Sequence, residues 1–295
     1  MPRSARRLNS PSELAVRVPP SAGTTALFYA ATGNRVGAAL ILAHGAGAGQ
    51  HSSFMVDFAS ALAALGIDVV TFNFLYTEQR RRLPDRGPVL EACYRAVVDT
   101  IRDEVESARR CLFLGGKSMG GRIATEIAAA DRSLPIGGLA LLGYPLHPPG
   151  RPEQRRDAHL PAVGRPMLFV QGSRDGFGTP AELAPVLGAL SPPATLHVVE
   201  SGDHSFKVVR PRPCRAEDKR LRGEASAPVR AGGGPPSQSF GASAEARVKG
   251  KRAEAESPAP VKKSRNHQAA QAAVYADVQR TIVEWIQTIV GTLTR

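Results

Sequence analysis

Cysteine is scarce in this chain: Cys93, Cys111 and Cys214 are the three in 295 residues. None stands in a C-x-x-C pair, which excludes a disulfide framework and a zinc ribbon and suits a reducing compartment. Long apolar runs are missing too. No stretch approaches the ~18 uninterrupted apolar residues of a membrane-spanning helix, and the basic opening MPRSARRLNSPSELAV has no apolar run behind it. The expectation is a soluble, cytoplasmic protein without a membrane partner. No P-loop, dinucleotide fingerprint or metal-ligand spacing occurs, so no cofactor and no metal are expected. The 29 Gly and 24 Pro follow no three-residue period, which excludes a collagen-like fibre.

What is present is a 42% hydrophobic, 22% charged composition, ordinary for a globular chain. ELAVRV and TTALFYA, separated by PPSAG, read as an edge hairpin. After them, apolar runs alternate with segments of helical period. The runs are AALILAH, IDVVTFNF, RCLFLGG, GLALLGY, PMLFVQG and ATLHVVE. Between them lie a stripe of Phe54, Phe58, Leu62 and Leu65, capped by Ser52 or Ser53, and a second stripe of Leu90, Tyr94, Val97, Ile101 and Val105. A third carries Leu183, Val186, Leu187 and Leu190. Val274, Val278, Ile282, Trp285, Ile289 and Leu293 form a closing amphipathic helix. Strands joined through helices require crossovers and hence a mostly parallel sheet.

One stretch interrupts this pattern. From Arg210 to Asn266, Leu221, Val229, Phe240, Val248 and Val261 are the large apolar residues, too few to build a core. The stretch holds 14 Lys and Arg against 6 Asp and Glu, so most of the chain's net charge of +12 resides there. The expected organisation is a flexible N-terminus at 1–12, a core at 13–209, a disordered basic insertion at 210–266, and a helix at 267–295 completing the core. Clusters such as VKGKR suit phosphates, but with Phe240 as the insert's one aromatic and no reading motif, a nucleic-acid partner is not expected.

Chemistry concentrates in LGGKSMGGRIATEIAA, where Gly116, Ser118 and Gly120 form G-x-S-x-G between an apolar strand and a helix. A nucleophile on so sharp a strand-to-helix turn presses neighbouring backbone together, and glycine at the flanking positions avoids the clash. In this arrangement the acid follows a later strand and the histidine follows the last one. VQGSRDGFG supplies Asp175 and SGDHSF supplies His204 at those places. Asp203 is the rival acid, badly placed as the immediate neighbour of His204. HGAGAG, after the first long parallel strand, matches the loop that donates an oxyanion N–H. The expected donors are the backbone N–H groups of Met119 and Ala46, with Gly45 or Gly47 as alternatives to Ala46. His44 reads as structural. Lys117 and Arg122 flank the elbow and Arg80 to Arg82 lie on a loop at the same carboxyl edge, all suiting either solvent or an anionic substrate, and Tyr144, His147 and the Pro-rich YPLHPPGRP are candidates for a pocket wall.

HGAGAG, FNF, RRRLPDR, GGKSMGGR, GYPLHPPGRPEQRR, HLPAV, FVQGSRDGFGTPAEL and GDHSFKV together resemble the α/β-hydrolase-like family of the KANSL and testis-expressed proteins. That family has many bacterial members and lies within the dienelactone-hydrolase-like group. The likeness spans about residues 25 to 209, with GYPLHPPGRP and GDHSFKV its most specific parts, while the long basic insert departs from it. It implies an α/β-hydrolase fold and places the family's serine, acid and histidine on Ser118, Asp175 and His204. The expected function is a serine hydrolase cleaving a small ester or thioester through an acyl-enzyme. With only about twenty residues at 145–165 there is little room for a helical cap, so the site is expected to be shallow. The alternative is a non-catalytic interaction module on the same fold. Oligomeric state is not legible.

Overall fold

The computed structural model describes residues 10–208 and 265–293. By its internal contacts the chain divides into residues 1–209 with 265–295, and residues 210–264. The N-terminus assigned above to residues 1–12 lies mostly outside the described residues. So does the insertion at 210–266, apart from Arg265 and Asn266, which start the last helix.

In chain order the elements are β1 (Ser12–Val18), β2 (Ala22–Tyr29), β3 (Ala39–Ala43), α1 (Ser53–Ala64), β4 (Asp68–Phe72) and α2 (Leu75–Glu78). There follow α3 (Gly87–Glu104), α4 (Glu106–Arg110), β5 (Leu112–Lys117), α5 (Met119–Ala130), β6 (Gly138–Leu142) and α6 (Leu160–Val163). The last are β7 (Met167–Gly172), α7 (Pro180–Gly188), β8 (Thr195–Val199) and α8 (Arg265–Leu293). The eight strands form one sheet in the order β1-β2-β4-β3-β5-β6-β7-β8. Pairing is antiparallel at β1–β2 and β2–β4 and parallel from β4 through β8. The hairpin and the parallel sheet expected from the alternation are both present, and the fold is that of an α/β hydrolase.

Every residue of β3, β4, β5, β6 and β7 is buried, as strands covered on both faces must be. Alternate side chains feed two cores. Leu40, Leu42, Phe113 and Val170 pack with Phe58 and Leu62 of α1 and with Val278 and Ile282 of α8. Ile41, Leu114, Leu141 and Phe169 pack with Tyr94 and Val97 of α3, Ile123 and Ile127 of α5, and Leu183 of α7. The closing helix thus covers the same sheet face as α1.

Some details depart from the periodic reading. Leu65 is 39% exposed and Leu293 65% exposed, because each lies at the end of its helix, past the sheet that buries the earlier members of its stripe. Ser52 occupies the N-cap of α1 but makes no side-chain cap bond, and its buried Oγ has no partner among the described residues. Tyr94, read as an apolar stripe member, also has a polar task. Its hydroxyl donates to Gly115 O at 2.8 Å and receives the Gly115 N–H at 3.1 Å, fastening α3 to β5 two residues short of that strand's end.

Candidate functional site

β5 ends at Lys117 and α5 begins at Met119, so Ser118 alone makes the turn between them. Its φ of 51° and ψ of −116° lie where a side chain is strained, a cost that the surrounding contacts must hold in place. Those contacts are tight. A Cβ on Gly116 would stand 2.6 Å from Gly120 C and 2.7 Å from Ala43 O, and one on Gly120 would stand 2.5 Å from Ala43 O. Only glycine at both positions lets α5 start this close to β3 and β5.

The side chains expected to work together are brought together. His204, in the loop after β8, has Nε2 2.8 Å from Ser118 Oγ and Nδ1 2.8 Å from Asp175 Oδ2. Asp175, in the loop after β7, is 1% exposed. Its other oxygen accepts the Phe177 N–H at 2.8 Å. Since an ionised carboxylate only accepts, the imidazole carries its proton on Nδ1 and leaves Nε2 to receive the Ser118 hydroxyl proton. The Phe177 ring stacks on that imidazole, with centroids 4.1 Å apart at 28°. Asp203, the rival acid, is occupied elsewhere: its Oδ1 accepts the N–H groups of Ser205 and Lys207, tying its own loop.

Gln171 was not singled out in the sequence. Fully buried in β7, it donates from Nε2 to Asp175 Oδ2 at 2.8 Å and to Gly178 O at 2.7 Å, while Oε1 accepts the Tyr144 N–H at 2.9 Å. The signal was there as the single amide in the apolar run PMLFVQG.

Ser118 and His204 open into a cleft of roughly 550 Å³ that Gly45, Ala46, Met119, Pro145 and Phe177 help to line. Among the described residues, the N–H groups of Ala46 and Met119 have no hydrogen-bond partner. Met119 opens α5, so its N–H is one of the free donors at a positive helix end. His44 is wholly buried. Its Nε2 accepts the Phe74 N–H at 3.2 Å, so Nδ1 is protonated and donates to Gly45 O at 2.8 Å. Burial holds its pKa below the usual imidazole value, keeping it a neutral brace for the 45–49 loop.

Tyr144 and His147 do not form the pocket wall. The Tyr144 ring is buried against Phe169 and its hydroxyl donates to Arg156 O at 2.6 Å, while His147 Nε2 lies 3.3 Å from Glu182. Pro145 of the Pro-rich segment does line the cleft, together with Arg156, because the chain folds back after β6. Arg80 to Arg82 border a neighbouring cavity with Tyr76 and Thr77. Arg122 does line the cleft and pairs with Glu126 one helical turn on. Lys117 lines it too, although it is only 8% exposed. Burial pushes its ammonium down to about 8, with the Asp175 and Asp203 carboxylates pulling the other way. Among the described residues, no helix is long and apolar enough to cross a membrane, and no cluster of His, Cys, Asp and Glu is set to hold a metal.

The family model for the alpha/beta hydrolase domain matches residues 36–227, and the chain belongs to that family. Among solved structures it is similar to a lidless α/β serine hydrolase from Xanthomonas campestris, at 24% identity and a TM-score of 0.55, over 67% of this chain and 87% of that one. An α/β serine hydrolase homologue from Coxiella burnetii matches at 19% identity and a TM-score of 0.55, covering 69% and 92%. A dienelactone hydrolase from Anabaena variabilis matches at 20% and 0.54, covering 68% and 90%. At these identities the likeness is one of fold.

Proposed function

We propose that this protein is a serine hydrolase acting on a small carboxylic ester or thioester, with Ser118 as nucleophile, His204 as general base and acid, and Asp175 as the group that orients the imidazole. The observation that carries this reading is the unbroken chain from Asp175 Oδ2 through His204 to Ser118 Oγ, with both links at 2.8 Å. His204 Nε2 takes the Ser118 proton as Oγ attacks the substrate carbonyl, and Asp175 stabilises the resulting imidazolium. The oxyanion is received by the Met119 and Ala46 N–H groups. As the intermediate collapses, the imidazolium protonates the leaving oxygen or sulfur and an acyl-enzyme forms on Ser118. A water molecule, deprotonated by His204, then releases the acid and restores the serine.

The segment between β6 and β7 has one helix, the four-residue α6, and so supplies no helical cap among the described residues, which supports a small substrate. The lidless description belongs to the Xanthomonas protein and agrees with this reading. Membership of the KANSL and testis-expressed group, on its bacterial side, is part of the proposal and rests on the motifs quoted above. A scaffold on this fold would not need three side chains held in hydrogen-bonded register. The test is labelling with a fluorophosphonate. Wild-type protein should gain one adduct and Ser118→Ala none; an equal reaction in both proteins would refute the assignment of the nucleophile.

A further inference from the structure

Three cationic side chains, Lys117, Arg122 and Arg156, and one carboxylate, Asp85, line the cleft around Ser118. Lys117 and Arg156 both line it, and among the described residues neither side chain has a hydrogen-bond or ion-pair partner. They lie on different sides of the nucleophile. Lys117 shares the parity of Phe113 along β5, hence the sheet face covered by α1 and α8. A methyl built on Gly143 would stand 3.1 Å from Lys117 Nζ and 3.4 Å from His204 Nδ1, so the ammonium and the imidazole flank the same glycine. Arg156 follows β6 on the other face, near Arg122 at the start of α5. Burial and the neighbouring Arg122 charge both depress its pKa.

The Asp175 and Asp203 carboxylates act on the Lys117 ammonium, but no carboxylate is left free on the Arg156 side. Glu126 is held by Arg122, and Asp85, the carboxylate on the cleft wall, pairs with Arg81 at 2.6 Å. A lysine only 8% exposed carries a desolvation cost that the Asp175 and Asp203 carboxylates offset in part, and an anion in the cleft would offset more of it. A half-buried guanidinium beside another one presents the same demand, and its planar fork suits a carboxylate.

We infer that the substrate of Ser118 is an anionic ester, its negative charge read by Lys117 on one side of the nucleophile or by Arg156, backed by Arg122, on the other. This rests on the hydrolase reading above and narrows its substrate class. A charge on the acyl part and a charge on the leaving group share the same chemistry and differ in which cation they meet.

The experiment compares two matched pairs: the 4-nitrophenyl half-ester of glutarate against 4-nitrophenyl pentanoate, and 4-carboxyphenyl butyrate against phenyl butyrate. A charge-assisted contact predicts that at least one anionic ester exceeds its neutral counterpart by about tenfold or more in kcat/KM, mainly through KM. That ratio should collapse in Lys117→Met or in Arg156→Gln and return in Arg156→Lys if the guanidinium side is used. Binding of glutaramate, the anionic half-amide, against neutral pentanamide by calorimetry gives the same comparison without ester turnover, in case a variant folds poorly. If neutral esters are hydrolysed at Ser118 as fast as the charged ones, and glutaramate binds no better than pentanamide, the inference fails while the hydrolase reading stands. If neither kind of ester is turned over and no fluorophosphonate adduct forms, both fail.

Discussion

The two sides of the cleft differ in how completely their polar atoms are matched. On the Asp175 side, both oxygens of Asp175, both ends of Gln171 and both nitrogens of His204 have partners between 2.7 and 2.9 Å. Around the 45–52 loop, Gln50 Oε1, Ser52 Oγ and Thr77 Oγ1 are buried without hydrogen-bond partners among the described residues. Buried polar groups are nearly always paired, so the contrast separates function from function. The matched side is fixed by the protein and positions the base. Of the unmatched residues, Ser52 lines the cleft, where substrate and water can complete its hydrogen bonding.

Breaking the matched side at its reactive end should have the largest effect. Ser118→Ala and His204→Ala are each predicted to lower kcat on short 4-nitrophenyl esters by about a million-fold, the loss typical of such groups in other triads. Asp175→Asn should cost less, up to about ten-thousand-fold, since it orients the imidazole and steadies its charge rather than exchanging the proton. Asp203→Asn, on the same loop as His204, should change kcat very little; a large loss there would transfer the acid's role to Asp203. Further back, Gln171→Leu removes a donor to the Asp175 carboxylate. Its expected cost is about tenfold in kcat with KM retained, the scale of one hydrogen bond to a charged group. A fall in thermal midpoint with kcat unchanged would make Gln171 merely structural.

The smallest effect should come at Lys117, and with the opposite sign on stability. Lys117 has its pKa lowered to about 8 in the fold, so between there and its ordinary value the unfolded chain binds more protons than the folded one. Stability contributed at this site therefore rises as pH climbs through that window, and below about 8 the fold carries a buried charge that it would be more stable without. Lys117→Met is predicted to raise the thermal midpoint at pH 7 by about 2–4 °C or more, the response to ~1 kcal/mol in a domain of this size. The gain should shrink at alkaline pH. A lowered midpoint would mean that the ammonium has a partner in the fold.

The difference between the two sides also explains what was legible in the sequence. The elbow could be read because its constraint is local: Gly116, Ser118 and Gly120 are fixed by the tightness of one turn, and strand and helix adjoin it in the chain. The placement of Asp175 and His204 followed from the strand order, which the alternation of apolar runs and helical stripes discloses. Arg156 could not be read, being one of two adjacent arginines in the polar run RPEQRR, brought to the cleft by the chain's return after β6. Tyr144 and His147 misled for the same reason, since sequence proximity to Pro145 says nothing about which side chain turns inward. Leu65 and Leu293 show the limit of periodicity, which continues along a helix whether or not a sheet lies opposite.

The central claim is that the substrate passes through a covalent bond to Ser118, and rapid mixing with 4-nitrophenyl acetate followed by an acid quench tests it most directly. The account predicts a burst of about one nitrophenol per protein and an acetyl group carried on the peptide containing Ser118. Release of nitrophenol with no burst and no modified peptide, at a rate unchanged in Ser118→Ala, would contradict it.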